Sequence, residues 1–222
     1  MNIREDFVRP RSDRENAARR AAILEAAEKL MLESHNQRFS ISNVAQRLGV
    51  SQSTIFLHFR NREELLTTLY TQVGKNFFET FLGRLHEGMS DRAFSEAFID
   101  TAIEFPGFRL MRPMIMRVVE ESLNQDYIHD AVKEIYLYRT AAADHVEELL
   151  KLGAGDGRRV MKSFVNLMCG AVQADIGKLL ATEKMDEEVA DGVRSFDFRE
   201  AFLSGAELLM IGIRKSSNHD CS

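Results

Sequence analysis

Apolar residues recur along this chain at helical spacing and no stretch keeps the alternation of a half-buried strand, so the pattern predicts an all-α fold. Residues 1–12 read as an arm containing Pro10. Residues 13–34 form a first helix with Ala18, Ala22, Ala26 and Leu30 on one face, broken by His35, Asn36 and Gln37. Two short helices folded over a tight turn are predicted between 40 and 61. A long helix follows over 62–87, with Leu65, Leu69, Val73, Phe77 and Phe81 at helical spacing and Gly88 as its stop. Five more helices are expected at about 90–104, 109–122, 125–152, 156–182 and 195–214. Phe105-Pro106-Gly107 and the glycine-rich 153–157 are the clearest breaks. The second lacks the preceding strand and glycine spacing of a nucleotide-binding loop, and reads as a connection between helices. Pro113 either sits in the first turn of its helix or kinks it.

The segment 40–64, SISNVAQRLGVSQSTIFLHFRNREE, is the most informative. Val44, Ala45 and Leu48 stripe a helix of about two turns, and Gly49 supplies the left-handed residue that ends it. Ser51 is a good N-cap for the next helix, whose Ile55 and Phe59 face inward and leave hydrogen-bonding side chains outward. Ala45 is small enough for the two helices to cross closely, and Ile55 fills the angle between them. Asn61 with Glu64 makes a variant capping box that starts a third helix at Arg62, whose N-terminal amides suit a phosphate. This is the pattern of a helix-turn-helix.

The run TIFLHFRNREELL at 54–66 stands in place of the pattern T-[hydrophobic]-Y-Y-H-F-K-[NS]-K-E-x-L-L, behind a long alanine-rich helix. On these residues the first quarter of the chain resembles the tetracycline-repressor (TetR) family. The resemblance implies an arm and DNA-binding head over 1–61, and a connecting helix with an effector-binding, dimerising body over 62–222. By its roles Ser42 opens the first motif helix near the groove, and Gln52, Ser53, Thr54 and Leu57 read base edges. Phe56, His58, Asn61 and Arg62 grip the backbone. Phe56 replaces the usual tyrosine and loses a hydroxyl to phosphate, though its ring can pack on sugar or a thymine methyl. Leu57 replaces a common aromatic, and Arg62 a common lysine. Phe56 could instead fill the head's core, and His58 could bond a nearby carbonyl.

In the helix at 156–182, Val160, Phe164, Leu167 and Ala171 line one face while Met161, Val165, Met168 and Val172 line the next, an arc too wide for a single contact. The final helix shows the same with Phe198, Phe202, Leu203, Ala206, Leu209, Met210 and Ile213. Both could be central in a monomer core or form a dimer interface. The resemblance favours a homodimer, with Phe164, Met168, Val172, Phe202, Leu209 and Met210 at the interface. A dimer on double-stranded DNA implies a pseudo-palindromic operator with half-sites ~34–36 Å apart. Phe77, Phe81, Phe98, Phe108, Met111 and Met114 make either a dense core or an adaptable cavity. The resemblance implies that they, with Tyr136, hold a small-molecule effector; polar groups among Arg109, Arg112, Arg117, Glu120, Tyr127, His129, Tyr136 and His145 could orient it, or could equally be surface charges. Repression relieved by a lipophilic or aromatic effector is the expected mechanism, with activation and co-repression also open.

Composition adds constraints. The 222 residues carry a net charge of −5, divided as +2 over residues 1–70 and −7 over the rest. DNA would therefore meet a local patch drawn from Arg9, Arg11, Arg14, Arg19, Arg20, Arg47, Arg60 and Arg62. Cys169 and Cys221 have no metal-ligand or disulfide spacing, no apolar run is long enough to span a bilayer and the N-terminus lacks a signal-peptide core, so a cytoplasmic protein without cofactor is expected. No nucleophile elbow, HExxH or clear catalytic dyad supports an enzyme. The rivals are a ligand-independent DNA-binding architectural or protein-interaction factor with a filled body, and an adaptor that has lost DNA binding, hinted at only by Phe56.

Overall fold

The computed structural model describes residues 13–34, 39–121, 125–176 and 185–219, all helix or connection, with no strand among them. They form ten helices: α1 Asp13–Ser34, α2 Ile41–Leu48, α3 Gln52–Phe56, α4 Arg62–Gly83, α5 Asp91–Glu104, α6 Pro106–Glu121, α7 Asp126–Leu149, α8 Asp156–Ile176, α9 Glu187–Arg194 and α10 Phe198–His219. The chain divides into two compact units, residues 1–69 and 70–222, and the division falls within α4.

In the first unit, Ile23, Ala26, Ala27 and Met31 of α1 are buried, a stripe rotated from the alanine face expected from sequence. Ala18 is exposed: the larger Ile23 and Met31 take the inner positions because they remove more apolar surface from water. Ser40 caps α2, its side chain accepting from Asn43 N at 3.1 Å. At the other end Gly49 is left-handed (φ 66°). Its N–H reaches Gln46 O at 3.1 Å while Val50 N reaches Ala45 O at 3.0 Å, the paired bonds of a Schellman ending. Ala45 and Ile55 are buried at the α2/α3 crossing, as the turn requires. Leu65, Leu66 and Leu69 from the start of α4 complete this core with Phe59.

The second unit packs α8 against α6, α7 and α10, and α5 against α6 and α10. Its centre is aromatic: Phe77, Phe81, Phe94, Phe98, Phe164 and Phe202 are fully buried. Rings of Phe77 and Phe108 stack at 4.3 Å, Phe77 meets Phe98 edge-on at 5.3 Å, and Phe98 stacks on Phe202 at 5.5 Å. Ion pairs tie the periphery, with Arg199 Nε 2.7 Å from Asp100 and Arg214 Nη2 2.5 Å from Asp91.

Several boundaries differ from the sequence reading. The long helix ends at Gly83, where Arg84 N and Leu85 N turn back to Phe81 O and Leu82 O; Gly88 (φ 79°) belongs to a separate turn. Pro106 opens α6 instead of preceding it, since a proline in the first turn forfeits no helix bond. Helix α6 continues through Pro113. Helix α9 was not foreseen, and residues 177–182, assigned by pattern to the preceding helix, lie outside the described residues. The 153–157 run connects α7 to α8 as expected. There Gly157 presses on α7 so closely that a Cβ would fall 2.2 Å from Ala143 O.

Gly157→Ala must therefore push α8 off α7. It is expected to destabilise the protein by roughly 1–3 kcal/mol or more in urea unfolding, whereas Gly192→Ala, on the open face of α9, should be neutral or stabilise by about 0.5–1 kcal/mol.

Candidate functional site

The outer face of the first unit is organised by its caps. The Ser51 hydroxyl accepts from Thr54 N at 3.2 Å and lies 2.7 Å from Ser53 Oγ and 2.9 Å from Thr54 Oγ1. Of the residues assigned to base edges, Gln52 and Ser53 are exposed and Thr54 is half-buried, but the hydroxyls of Ser53 and Thr54 are already drawn into this cluster. Gln52 stands clear of it. Ile55 turns fully inward, which sends Phe56 and Leu57 outward at 49% and 77% exposure. Phe56 thus does not fill the head's core. Ser42 is exposed on the first turn of α2.

Of the residues assigned to the backbone grip, Phe56 is exposed, while His58, Asn61 and Arg62 are half-buried and also serve the head internally. Asn61 Oδ1 accepts from Glu64 N at 2.7 Å, and the Glu64 carboxylate accepts from Arg60 N at 2.6 Å, so the reciprocal arm of the box closes one residue early. Arg62 donates Nε to Phe39 O at 3.4 Å with its guanidinium 5.4 Å from the Phe39 ring. The His58 carbonyl accepts from Arg20 Nη1 at 2.5 Å.

Arg20 overturns a sequence expectation. Counted there as a patch cation, it lies half-buried with its guanidinium 4.1 Å over the Phe59 ring, bonded also to Thr68 Oγ1 at 3.4 Å. One side chain from α1 thereby holds both the end of α3 and the start of α4. Arg47 is likewise engaged, its two terminal nitrogens on Glu33 at 2.7 and 2.5 Å; this pairing raises its pKa and lowers that of Glu33. Arg14, Arg19 and Arg60 are exposed, while Arg9 and Arg11 lie outside the described residues. The aromatic Phe59 four residues after Ile55 was the available sign that a cation could be drawn inward.

In the second unit Phe77, Phe81, Phe98, Phe108 and Met111 are buried, and the four phenylalanines pack ring on ring as core. The Met114 side chain lies outside the described residues. Tyr136 is 52% exposed on α7, its ring 5.9 Å from the Arg139 guanidinium, so it faces away from that core. Beside the core, burial pushes the Tyr70 hydroxyl and the Cys169 thiol up from their ordinary values, while the Arg112 charge pulls both the other way. Sequence reasoning named Arg112 but missed the other two, although a hydroxyl on the apolar face of α4 was a visible signal. Phe164, Met168, Val172, Phe202 and Met210 are all buried within one copy, and Leu209 is half-buried. The wide apolar arcs of α8 and α10 are covered largely by the chain's own helices, leaving Leu208 and Ile211 outward at 71% and 47% exposure.

Residues 23–69 match the family described as "Bacterial regulatory proteins, tetR family". The fatty acid metabolism regulator protein of Bacillus subtilis (strain 168) is 30% identical over 71 residues, 32% of this chain and 34% of that protein. The match thus spans about a third of the curated relative's length. In fold, a possible TetR family transcriptional regulator from Streptomyces coelicolor A3(2) is similar over 89% of this chain and 99% of its own, with a TM-score of 0.60 at 16% identity. A putative transcriptional regulator from Saccharomonospora viridis, solved in complex with choline, covers 86% of this chain and 96% of its own at a TM-score of 0.56 and 20% identity. The sequence match to this family thus lies in residues 23–69, and over most of its length the chain is similar in all-α fold to structures of such regulators. Among the described residues no helix is long and apolar enough to cross a membrane.

The internal role of Arg20 has a measurable consequence. Arg20→Ala should destabilise the head by about 1–3 kcal/mol, from the lost ring contact and the buried carbonyl it leaves, and Arg20→Lys should recover only part, because an ammonium cannot bridge both partners. Amide hydrogen exchange across α3 and the start of α4 checks this, and unchanged protection in Arg20→Ala would refute it.

Proposed function

We propose that the chain is a homodimeric DNA-binding transcription regulator in which residues 1–61 read DNA and 62–222 supply the connecting helix and body. The observation that carries the reading is the construction of α3. A helix of five residues, capped at Ser51 and pinned beneath by Ile55, presents Gln52, Ser53, Phe56 and Leu57 to the outside. Large apolar side chains left in water on a short polar helix call for a partner, and the thymine methyls and amide-reading base edges of a major groove match this mixture. Arg14, Arg19 and Arg60 are the exposed cations available for phosphates, and Ser42 sits at the edge of the surface.

One such helix spans only a few base pairs, so two copies on a pseudo-palindrome supply the specificity. The exposed Leu208 and Ile211 of α10 offer apolar surface to a second copy next to the half-buried Leu209. Control by a small lipophilic effector, with repression relieved on binding, follows the family resemblance. By linkage, DNA then weakens the effector by the factor that the effector weakens DNA. The likeness to a choline-bound regulator supports a small-molecule input of some kind. A regulator of this kind acts in the cytoplasm, on the chromosome.

Selection of bound duplexes from a random library, followed by a salt titration, tests the reading. The expected result is a pseudo-palindromic winner, with Gln52→Ala costing about 1–3 kcal/mol at one symmetric pair of positions and leaving the salt slope unchanged. Arg60→Ala should instead weaken all duplexes and lower the slope by about one. No enrichment over random duplex would overturn it. Release of the selected duplex by members of a small-molecule library tests the effector step separately.

A further inference from the structure

Helix α3 and the turn after it lack the side chains that single out a G·C pair. In a major groove guanine is met by arginine or lysine and cytosine by a carboxylate, whereas adenine is met by asparagine or glutamine and thymine by apolar contact with its methyl group. Residues 51–59, SQSTIFLHF, contain no Arg, Lys, Asp or Glu, and Arg60 is the first guanidinium to follow. Serine and threonine hydroxyls serve any base, so the bias depends on what the hydroxyls of α3 are doing.

They are drawn into the helix cap. The Ser51 oxygen faces Thr54 N at 3.2 Å, Ser53 Oγ at 2.7 Å and Thr54 Oγ1 at 2.9 Å. A hydroxyl has two lone pairs and one proton, which these three partners use up. Either Ser53 or Thr54 therefore gives its proton to the cap, and the other is held there by its oxygen. The side chains left for base edges are the exposed Gln52 amide, Phe56 and Leu57.

The two apolar side chains cannot turn inward. Ile55 and Phe59, on either side of them in the chain, fill the core of the head at 0% and 1% exposure. Leu57 N bonds to Ser53 O at 3.2 Å, and His58 N and Phe59 N bond to Ile55 O at 2.9 and 3.0 Å, so the backbone is closed around them. Arg20 holds the His58 carbonyl from α1. Gln52 and Phe56 are an i, i+4 pair, as are Ser53 and Leu57, so the amide and the apolar tips stand about one turn apart on neighbouring rows of one surface. A turn of ~5.4 Å spans between one and two base steps of ~3.4 Å.

We propose that α3 reads A·T pairs through the thymine methyl: Leu57, with Phe56 beside it, receives C5-methyl groups, and Gln52 makes the hydrogen-bonded base contact, to adenine. The inference rests on the DNA-binding reading above and narrows it to half-sites whose contacts with α3 depend on thymine methyls.

Deoxyuridine tests this, because uracil in place of thymine removes the C5-methyl and keeps every hydrogen-bonding group of the groove. In the duplex selected by the full-length protein, each half-site thymine is replaced in turn together with its symmetric mate, and binding is measured at fixed salt. At one or two positions affinity should fall about fourfold per methyl, equivalent to ~0.8 kcal/mol, and about fifteenfold for the symmetric pair. Leu57→Ala should bind the thymine and uracil duplexes nearly equally, while Gln52→Ala should weaken both alike and keep their ratio. Phe56→Ala, also at an exposed position, is the second variant should Leu57→Ala misfold. Uracil tolerated at every position, selected half-sites without thymine, or a ratio that survives both Leu57→Ala and Phe56→Ala overturns the methyl contact and leaves the DNA-binding reading intact. Failure to enrich any duplex overturns both.

Discussion

Five helices of the body meet through one system of rings, and it is densest at Phe77, which stacks on Phe108 at 4.3 Å and takes Phe78 and Phe98 edge-on at 5.3 Å each. Phe98 carries the contact on to Phe164 of α8 and Phe202 of α10. Rings constrain orientation as well as volume, because each pair is favourable only when offset or edge to face. Turning one ring disturbs its neighbours, so this centre behaves as a single packed object. A ligand cannot occupy that space without dismantling it. At its border Tyr70, stacked on Phe108, ends the system of rings in a hydroxyl.

The head solves a different problem. Its helices α2 and α3 are too short to persist alone, so caps and a buried cation hold them. The Ser40, Ser51 and Asn61 side chains satisfy the first amides of α2, α3 and α4, and Gly49 ends α2 at the only backbone conformation the turn admits cheaply. Arg20 then binds the result together from α1. Placing a guanidinium there costs desolvation, offset by the Phe59 face and two acceptors. What it yields is a fixed α3, which would lower the entropy that docking of a partner costs.

What was legible in the sequence was local. The α2–turn–α3 motif, its caps, the start of α4 and the all-α class could be read because each depends on residues within a turn or two of one another. Side-chain direction could not. Arg20 and Arg62 look like surface cations until Phe59 and Phe39 are placed beneath them. Phe77, Phe81 and Phe98 fit a cavity wall as well as a core until their rings are oriented. The wide arcs of α8 and α10 gave the same ambiguity. Phe164, Met168, Phe202 and Met210 face inward because α5, α7 and the two helices themselves cover them, a long-range fact that no periodicity contains.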